Sequence, residues 1–240
     1  MARQGEFVSG EDRMPGVIIS LCDITGAMVA PWVDAGYDAV LIDPQHIHYT
    51  VTRYKSGATI ERIPQTILGA AQRLGEILRG RRVVFVAGFP PCTDVAVSGA
   101  RWFADKRELD SQFQAKAALV AEQCRMVGEL SGAPWIFENP VSVFSRIFGK
   151  AQHTFHPYHF TRLCTDDNYR KLTCLWSGGG FVMPEPQQLA EIGEPDDRIH
   201  KAPPGPDRAN FRSATPVGFA MAVFNANAPH LKRQRTLFEG

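Results

Sequence analysis

Short, mainly apolar runs that each stop on a polar or glycine-bearing segment constrain this chain more than any other feature. Residues 17–22 (VIISLC), 38–43 (DAVLID) and 83–87 (VVFVA) are too short for core helices and too continuous for strands wetted on one side. They read as strands buried on both faces. A short helical stretch ending near Gly36 separates the first two, and Pro31 inside it predicts a late start or a kink. Residues 49–63 are polar and irregular, and a helix is expected from about Ile63 to Leu78. The clearest helical pattern runs from Ser111 to Leu130. There Phe113, Ala117, Val120, Cys124, Val127 and Leu130 recur at spacings of three and four, and Gly132 follows as a stop. Strand 134–138 (PWIFE) comes next. Strands alternating with helices predict an α/β fold with a mainly parallel sheet, in which ligands bind at the carboxyl ends of the strands.

Composition sets the class. The chain has 240 residues, of which 44% are hydrophobic and 21% charged, enough to bury a sizeable core. Its apolar runs are of strand length, so no membrane span is expected, and the first residues lack the apolar core of a signal peptide. Five cysteines at irregular spacing do not make a secreted disulfide framework, which points to a reducing cytoplasm. A formal charge of +1 gives no broad field for a polyanion. The local clusters Arg79, Arg81, Arg82 and Lys232, Arg233, Arg235 read first as solvated surface.

Three segments at strand ends carry chemistry. Cys22 to Ala27 (CDITGA) follows the first strand, and a glycine in such a turn lets backbone approach a ligand closely. Asp43 ends the second strand, where a carboxylate can accept both hydroxyls of a cofactor ribose. Gly88 to Asp94 (GFPPCTD) aims Cys92 with two prolines that stiffen its approach. Phe137 to Pro140 (FENP) places a glutamate and an asparagine beyond the next strand. In this order the segments resemble the cytosine-C5 DNA methyltransferases, over roughly residues 16–140 and again from Arg212 to Phe219 (RSATPVGF).

The resemblance implies a Rossmann-like S-adenosylmethionine-dependent methyltransferase fold. It implies Cys92 as the nucleophile that adds to C6, Glu138 as the acid at N3, and Arg170, within Tyr169 to Trp176 (YRKLTCLW), as the family's arginine. Asp23, Thr25, Gly26, Asp43, Pro91 and Thr215 are expected to hold S-adenosylmethionine, and Pro90, Asn139 and Pro140 to position the base. Thr215 and Pro216 suit the cap and first turn of a helix. Cys22 and Ile24 to Gly26 stand where the family offers an aromatic residue and a Gly-x-Gly run.

Only about 70 residues separate Glu138 from Arg212, too few for the family's target-recognition domain. A single domain over residues 1–230 is therefore expected, with a reduced lobe at about 150–206 and a flexible tail at 231–240. Aromatics and histidines of the lobe (Phe155, His156, Tyr158, His159, Phe160, Trp176) suit internal packing first and base stacking second. His156, His159, Cys164 and Cys174 show no paired ligand spacing, and no metal is assigned. In the tail, Gln234, Leu237 and Phe238 are similar to the peptide by which bacterial proteins bind the replicative sliding clamp. The expected setting is the cytoplasm of a bacterial or phage-infected cell, with DNA as partner. The rival readings are C5 modification of a free cytosine nucleotide or of RNA, and a non-catalytic DNA- or clamp-binding protein of the same fold.

Overall fold

The computed structural model describes residues 16–199, 201 and 208–231. One eight-stranded sheet organises them, in the order β3-β4-β2-β1-β5-β6-β8-β7. The strands are β1 Val17–Leu21, β2 Asp38–Ile42, β3 Thr50–Arg53, β4 Thr59–Ile63, β5 Val83–Gly88, β6 Trp135–Pro140, β7 His153–Phe155 and β8 Thr173–Gly178. The five strands from β4 to β6 run parallel. Strand β8 is antiparallel to both neighbours, so β7 again runs with β6. This is a Rossmann-like, doubly wound arrangement, with β3 reversed at one edge and β8 reversed next to the other.

The helices are α1 Ala30–Asp34, α2 Ile67–Ala71, α3 Leu74–Leu78, α4 Phe103–Leu109, α5 Phe113–Ser131, α6 Phe144–Ile147, α7 Arg208–Ser213 and α8 Val217–Asn227. Alternation along the strands divides the core. Ile18, Ala39, Leu41, Ile60 and Leu175 face α1 and α8, together with Trp32, Phe219 and Val223. Val17, Ile19, Val40, Val86 and Phe137 face the other way, with Ile67 and Ala70 of α2 and Ala121 and Cys124 of α5. Both faces are covered, which is why every residue of β1 and β2 is buried. No helix among the described residues is long and apolar enough to cross a membrane.

Local chemistry explains where elements begin and end. Pro31 lies in the first turn of α1, where its missing N–H costs nothing; the helix starts one residue before it, at Ala30. Helix α5 stops at Gly132, in the left-handed conformation with φ +67°. Its buried positions are Phe113, Ala121, Cys124 and Gly128, and Leu130 is exposed, so the inward stripe ends earlier than expected. Gly128 has a packing reason: an added Cβ would meet Trp135 Cγ at 2.4 Å.

Two expectations need correction. Residues 49–63 are not irregular but hold the β3–β4 hairpin, and the expected helix at 63–78 is two short helices, α2 and α3. Glu61 hid the strand. It is buried in β4, accepts a hydrogen bond from Tyr49 Oη (2.9 Å) and faces Arg79 and Arg81 at 3.6 Å each. Arg81 also meets buried Asp38 at 3.1 Å, so it is a tie between strands and not solvated surface. The segment expected as an inserted lobe, 150–206, supplies β7 and β8 to the main sheet. Gln234, Leu237 and Phe238, with Lys232, Arg233 and Arg235, lie outside the described residues.

Candidate active site

The chain leaves β1 on one side, passes through β2 to β4, and returns to β5 on the other side of β1. The crevice of such a sheet opens where the direction reverses, between the carboxyl ends of β1 and β5. The expected residues Asp23, Thr25, Gly26, Asp43, Pro90, Pro91 and Cys92 follow the carboxyl ends of β1, β2 and β5, and Glu138, Asn139 and Pro140 end β6.

At the end of β1 the chain makes a closed turn. Cys22 takes a left-handed conformation, φ +55°, that side chains rarely adopt. Asp23 then holds the turn together. Its Oδ1 accepts hydrogen bonds from the Thr25 amide (2.9 Å), the Thr25 hydroxyl (3.1 Å) and the Gly26 amide (2.7 Å). Its Oδ2 accepts from Ser20 Oγ at 2.7 Å. Thr25 Oγ1 accepts from the Ala27 amide. Asp23 and Thr25 therefore spend these groups on the turn itself. Gly26 is required by its φ of +75° and by Leu41, whose Cδ2 would lie 3.1 Å from an added Cβ. Beside it, Asp43 is buried at the end of β2, and its Oδ1 accepts from the Gln45 amide at 2.7 Å. His46, two residues beyond Pro44, has Nε2 buried with no partner among the described residues.

The end of β5 is stitched to the end of β6. Asn139 Nδ2 donates to the Pro90 carbonyl at 2.9 Å, which fixes the Pro90–Pro91 approach to Cys92 from across the sheet. The Cys92 carbonyl accepts from the amides of Val95 (3.1 Å) and Ala96 (2.9 Å). Val97 then donates to the Val141 carbonyl, and Val143 to the Val95 carbonyl, so the segments after Cys92 and after Glu138 are zipped together. Prolines on both segments remove amides that would otherwise need partners. Pro90 is buried, Pro91 exposed and Pro140 half-buried in β6 opposite Thr173.

Glu138 is the unusual group. Its Oε2 is buried with no hydrogen-bond partner among the described residues, and Asn139 Oδ1 is likewise unsatisfied. Burial pushes the Glu138 carboxyl above the ordinary carboxylate range, and Lys171 pulls it back in part. Burial also pushes the Cys92 thiol up, and Glu138 adds to the rise; Lys171 and, more weakly, Arg212 oppose it. Cys92 thus feels Glu138, Lys171 and Arg212, and Glu138 feels Lys171. A small recess joins Glu138 and Lys171 with Phe89, Thr173, Thr215 and Phe219. A larger cavity of about 660 Å³ lies elsewhere, between α5 and the β6–β8 edge, lined by Leu119, Glu122, Arg125, Trp135 and Trp176.

Arg170 does not join this group. Its guanidinium donates to the Pro195 carbonyl and to Glu194 at 3.1 Å, with Asp197 at 3.8 Å. The cation that faces Glu138 is its neighbour Lys171, buried, with Nζ donating to the Ala214 carbonyl at 3.3 Å. Lys171 lies two residues before Thr173, which opens β8, and both line the recess, whereas Arg170 turns to the 194–197 loop. Thr215 lines the recess but does not cap α8. The cap position is Pro216, which offers no side-chain acceptor, and Asp167 supplies one from a distant turn by accepting from the Gly218 amide at 2.6 Å. Among the described residues no group of three or more His, Cys, Asp or Glu side chains is placed to hold a metal ion.

No family model and no curated protein matches the chain. A solved structure provisionally described as a DNA modification methyltransferase encoded within a prophage, from E. coli, is similar over 68% of this chain, at 11% identity and a TM-score of 0.37. The match spans less than half of that structure's length, 46%.

Proposed function

We propose that this chain transfers a methyl group from S-adenosylmethionine to C5 of cytosine in DNA, through a covalent bond between Cys92 and the base. The observation that carries the reading is the buried, unpartnered Oε2 of Glu138, in a carboxyl that burial pushes above the ordinary carboxylate range and that acts electrostatically on the Cys92 thiol. A buried polar atom without a partner costs stability, so its retention fits a group that is satisfied only when substrate is present.

The chemistry asks for this pair. Cytosine C5 is too electron-poor to take a methyl group directly. Cys92, once it has lost its proton, adds to C6 and breaks the aromaticity of the ring, which raises electron density at C5. Glu138 in its acid form donates a hydrogen bond to N3 and stabilises the charge that develops on the ring. Lys171 favours the thiolate. It also opposes protonation of Glu138, so it sets a compromise between the two groups. Loss of the C5 proton and cleavage of the sulfur–carbon bond then release the product. Asn139 holds the Pro90–Pro91 segment, and through it the position of Cys92.

S-adenosylmethionine supplies the electrophilic methyl when bound. The residues at the β1 and β2 ends fit a ribose-bearing group: Asp43 stands at the strand end and His46 Nε2 is a buried polar atom awaiting a partner. Gly26 and Pro91 border the crevice between the β1 and β5 ends, and Thr215 lies beside Glu138 in the recess. Asp23 and Thr25 act on this site through the turn that they hold.

A second reading takes free cytosine nucleotide or RNA as substrate. It is favoured by β7 and β8, which use part of the segment where a recognition lobe was expected. Transfer of labelled methyl by wild type and Cys92→Ala, offered duplex DNA, single-stranded DNA, RNA and free dCMP, separates the readings. Label entering DNA cytosine with wild type alone is the expected result. Label confined to dCMP or RNA keeps the chemistry and replaces the substrate. No label on any of the four overturns the proposal.

A further inference from the structure

The segment that leaves the Cys92 turn carries an exposed aromatic that neither the core nor the proposed chemistry uses. Of the four tryptophans, Trp32, Trp135 and Trp176 are 0%, 4% and 3% exposed, whereas Trp102 is 52% exposed. The Arg101 guanidinium carbon lies 5.0 Å from the centre of the Trp102 ring, and Arg101 has no carboxylate partner among the described residues. Val97 (51% exposed) and Val141 (43%) continue the apolar surface, joined by the hydrogen bond from the Val97 amide to the Val141 carbonyl at 3.0 Å.

This surface is held firmly. Phe103, the next residue, turns inward onto Phe113 with ring centres 5.7 Å apart. Lys106 reaches back to the Cys92 loop and donates to the Thr93 carbonyl (2.9 Å) and to Asp94 (2.6 Å). The charge of Lys106 is thereby taken up by the fold, and that of Arg101 is left for a partner. A flat ring with a cation laid over it matches a ligand that offers flat bases and anionic phosphates in alternation. With a formal charge of only +1, the chain has no broad basic face, so affinity for such a ligand must come from local stacking of this kind.

We propose that Trp102, with Arg101 over its ring, is a stacking platform for the DNA strand that carries the target cytosine. The proposal deepens the function inferred above and rests on it for the identity of the strand. Val97 to Trp102 form a 3₁₀ helix of six residues. At about 2 Å per residue it carries Trp102 roughly 10 Å from the zipped Val97, the rise of about three nucleotides at about 3.4 Å each. The platform therefore meets a base about three positions from the target, one free to stack where the strand is single. Arg101 meets the adjoining phosphate.

The test is binding of a fluorescent 12-nucleotide single-stranded DNA with one central cytosine, read by anisotropy together with quenching of tryptophan emission. Wild type is expected to bind with quenching. Trp102→Ala is expected to weaken binding about tenfold or more while the thermal shift given by S-adenosylmethionine stays at the wild-type value. Trp102→Phe keeps a ring and is expected to bind within about threefold of wild type, without the quench. Circular dichroism matching wild type shows that the variants are folded. Unchanged affinity in Trp102→Ala overturns the platform, and binding of an RNA 12-mer with no binding of the DNA overturns the DNA strand as occupant. Binding is read without methyl transfer, so DNA binding that depends on Trp102 in a protein that methylates nothing would sink the cytosine chemistry and leave the platform standing.

Discussion

The carboxyl ends of β1 and β5 lie side by side in the sheet and are finished in opposite ways. After β1, Asp23 gathers four hydrogen bonds from Ser20, Thr25 and Gly26 and closes the turn on itself. Around the β5 end, the zipped loops of β5 and β6 leave polar atoms of Glu138 and Asn139 buried and unpartnered, and the thiol of Cys92 is disfavoured in its charged form. Folding alone rewards the first arrangement and penalises the second. The contrast separates residues that build the crevice from residues that act in it, although both kinds occupy strand ends that look equally chemical in sequence.

That separation can be broken by substitution. The largest effect is expected from Cys92→Ala: methyl transfer falls by about 10⁴-fold or more while the unfolding midpoint stays near the wild-type value. Glu138→Gln is expected to slow transfer about 10²- to 10⁴-fold. It should also be more stable than wild type at alkaline pH. The sign comes from the raised carboxyl: stability is intact below the ordinary carboxylate range and is lost as pH rises through the raised value, because the folded protein must then bury a charge. The Gln variant has no charge to bury, so the gap in melting temperature opens as pH rises above the ordinary carboxylate range and closes in acid, at about 2–4 °C per kcal/mol. Melting curves of both proteins across that range check it; a gap that widens in acid would contradict the assignment.

Across the crevice the order of effects reverses. Asp23→Ala is expected to cost about 2–4 kcal/mol by leaving turn donors unsatisfied, a fall in melting temperature of roughly 5–15 °C. Transfer measured well below the new midpoint should fall far less than in Glu138→Gln. Smaller still is Lys171→Met, which removes the main cation that favours the thiolate. Cys92 should then alkylate several-fold more slowly near neutral pH, as read by peptide mass spectrometry, and its reactivity should rise only at higher pH. Arg170→Ala, whose side chain is held by the 194–197 loop, should leave transfer within about twofold.

Legibility in the sequence tracks the range of the interactions. Strands β1, β2, β5 and β6 are written in continuous apolar runs, and the segments after them carry Gly, Pro, Cys and Glu in an order that points to one crevice. The β3–β4 hairpin was not legible, because Glu61 makes sense inside a strand only once Arg79 and Arg81 are known to face it. Lys171 was missed for a similar reason: it is placed by the start of β8 two residues later, and β8 is recognised as a strand by its pairing with β6 and β7. The cap of α8 comes from Asp167, 51 residues upstream of the amide it accepts from. Local turns and strand ends could be read; partners supplied by distant segments could not.

The central claim is that Cys92 forms a bond to the base. It is tested most directly with single-stranded and duplex DNA carrying 5-fluorocytosine in place of cytosine, incubated with protein and S-adenosylmethionine and then run on a denaturing gel. Fluorine at C5 cannot leave as a proton does, so the sulfur–carbon bond should persist. The account predicts a denaturation-resistant protein–DNA band with wild type, mapping to the peptide that contains Cys92 and absent in Cys92→Ala. A band of equal strength with Cys92→Ala, or none with wild type that transfers methyl to ordinary DNA, would contradict it.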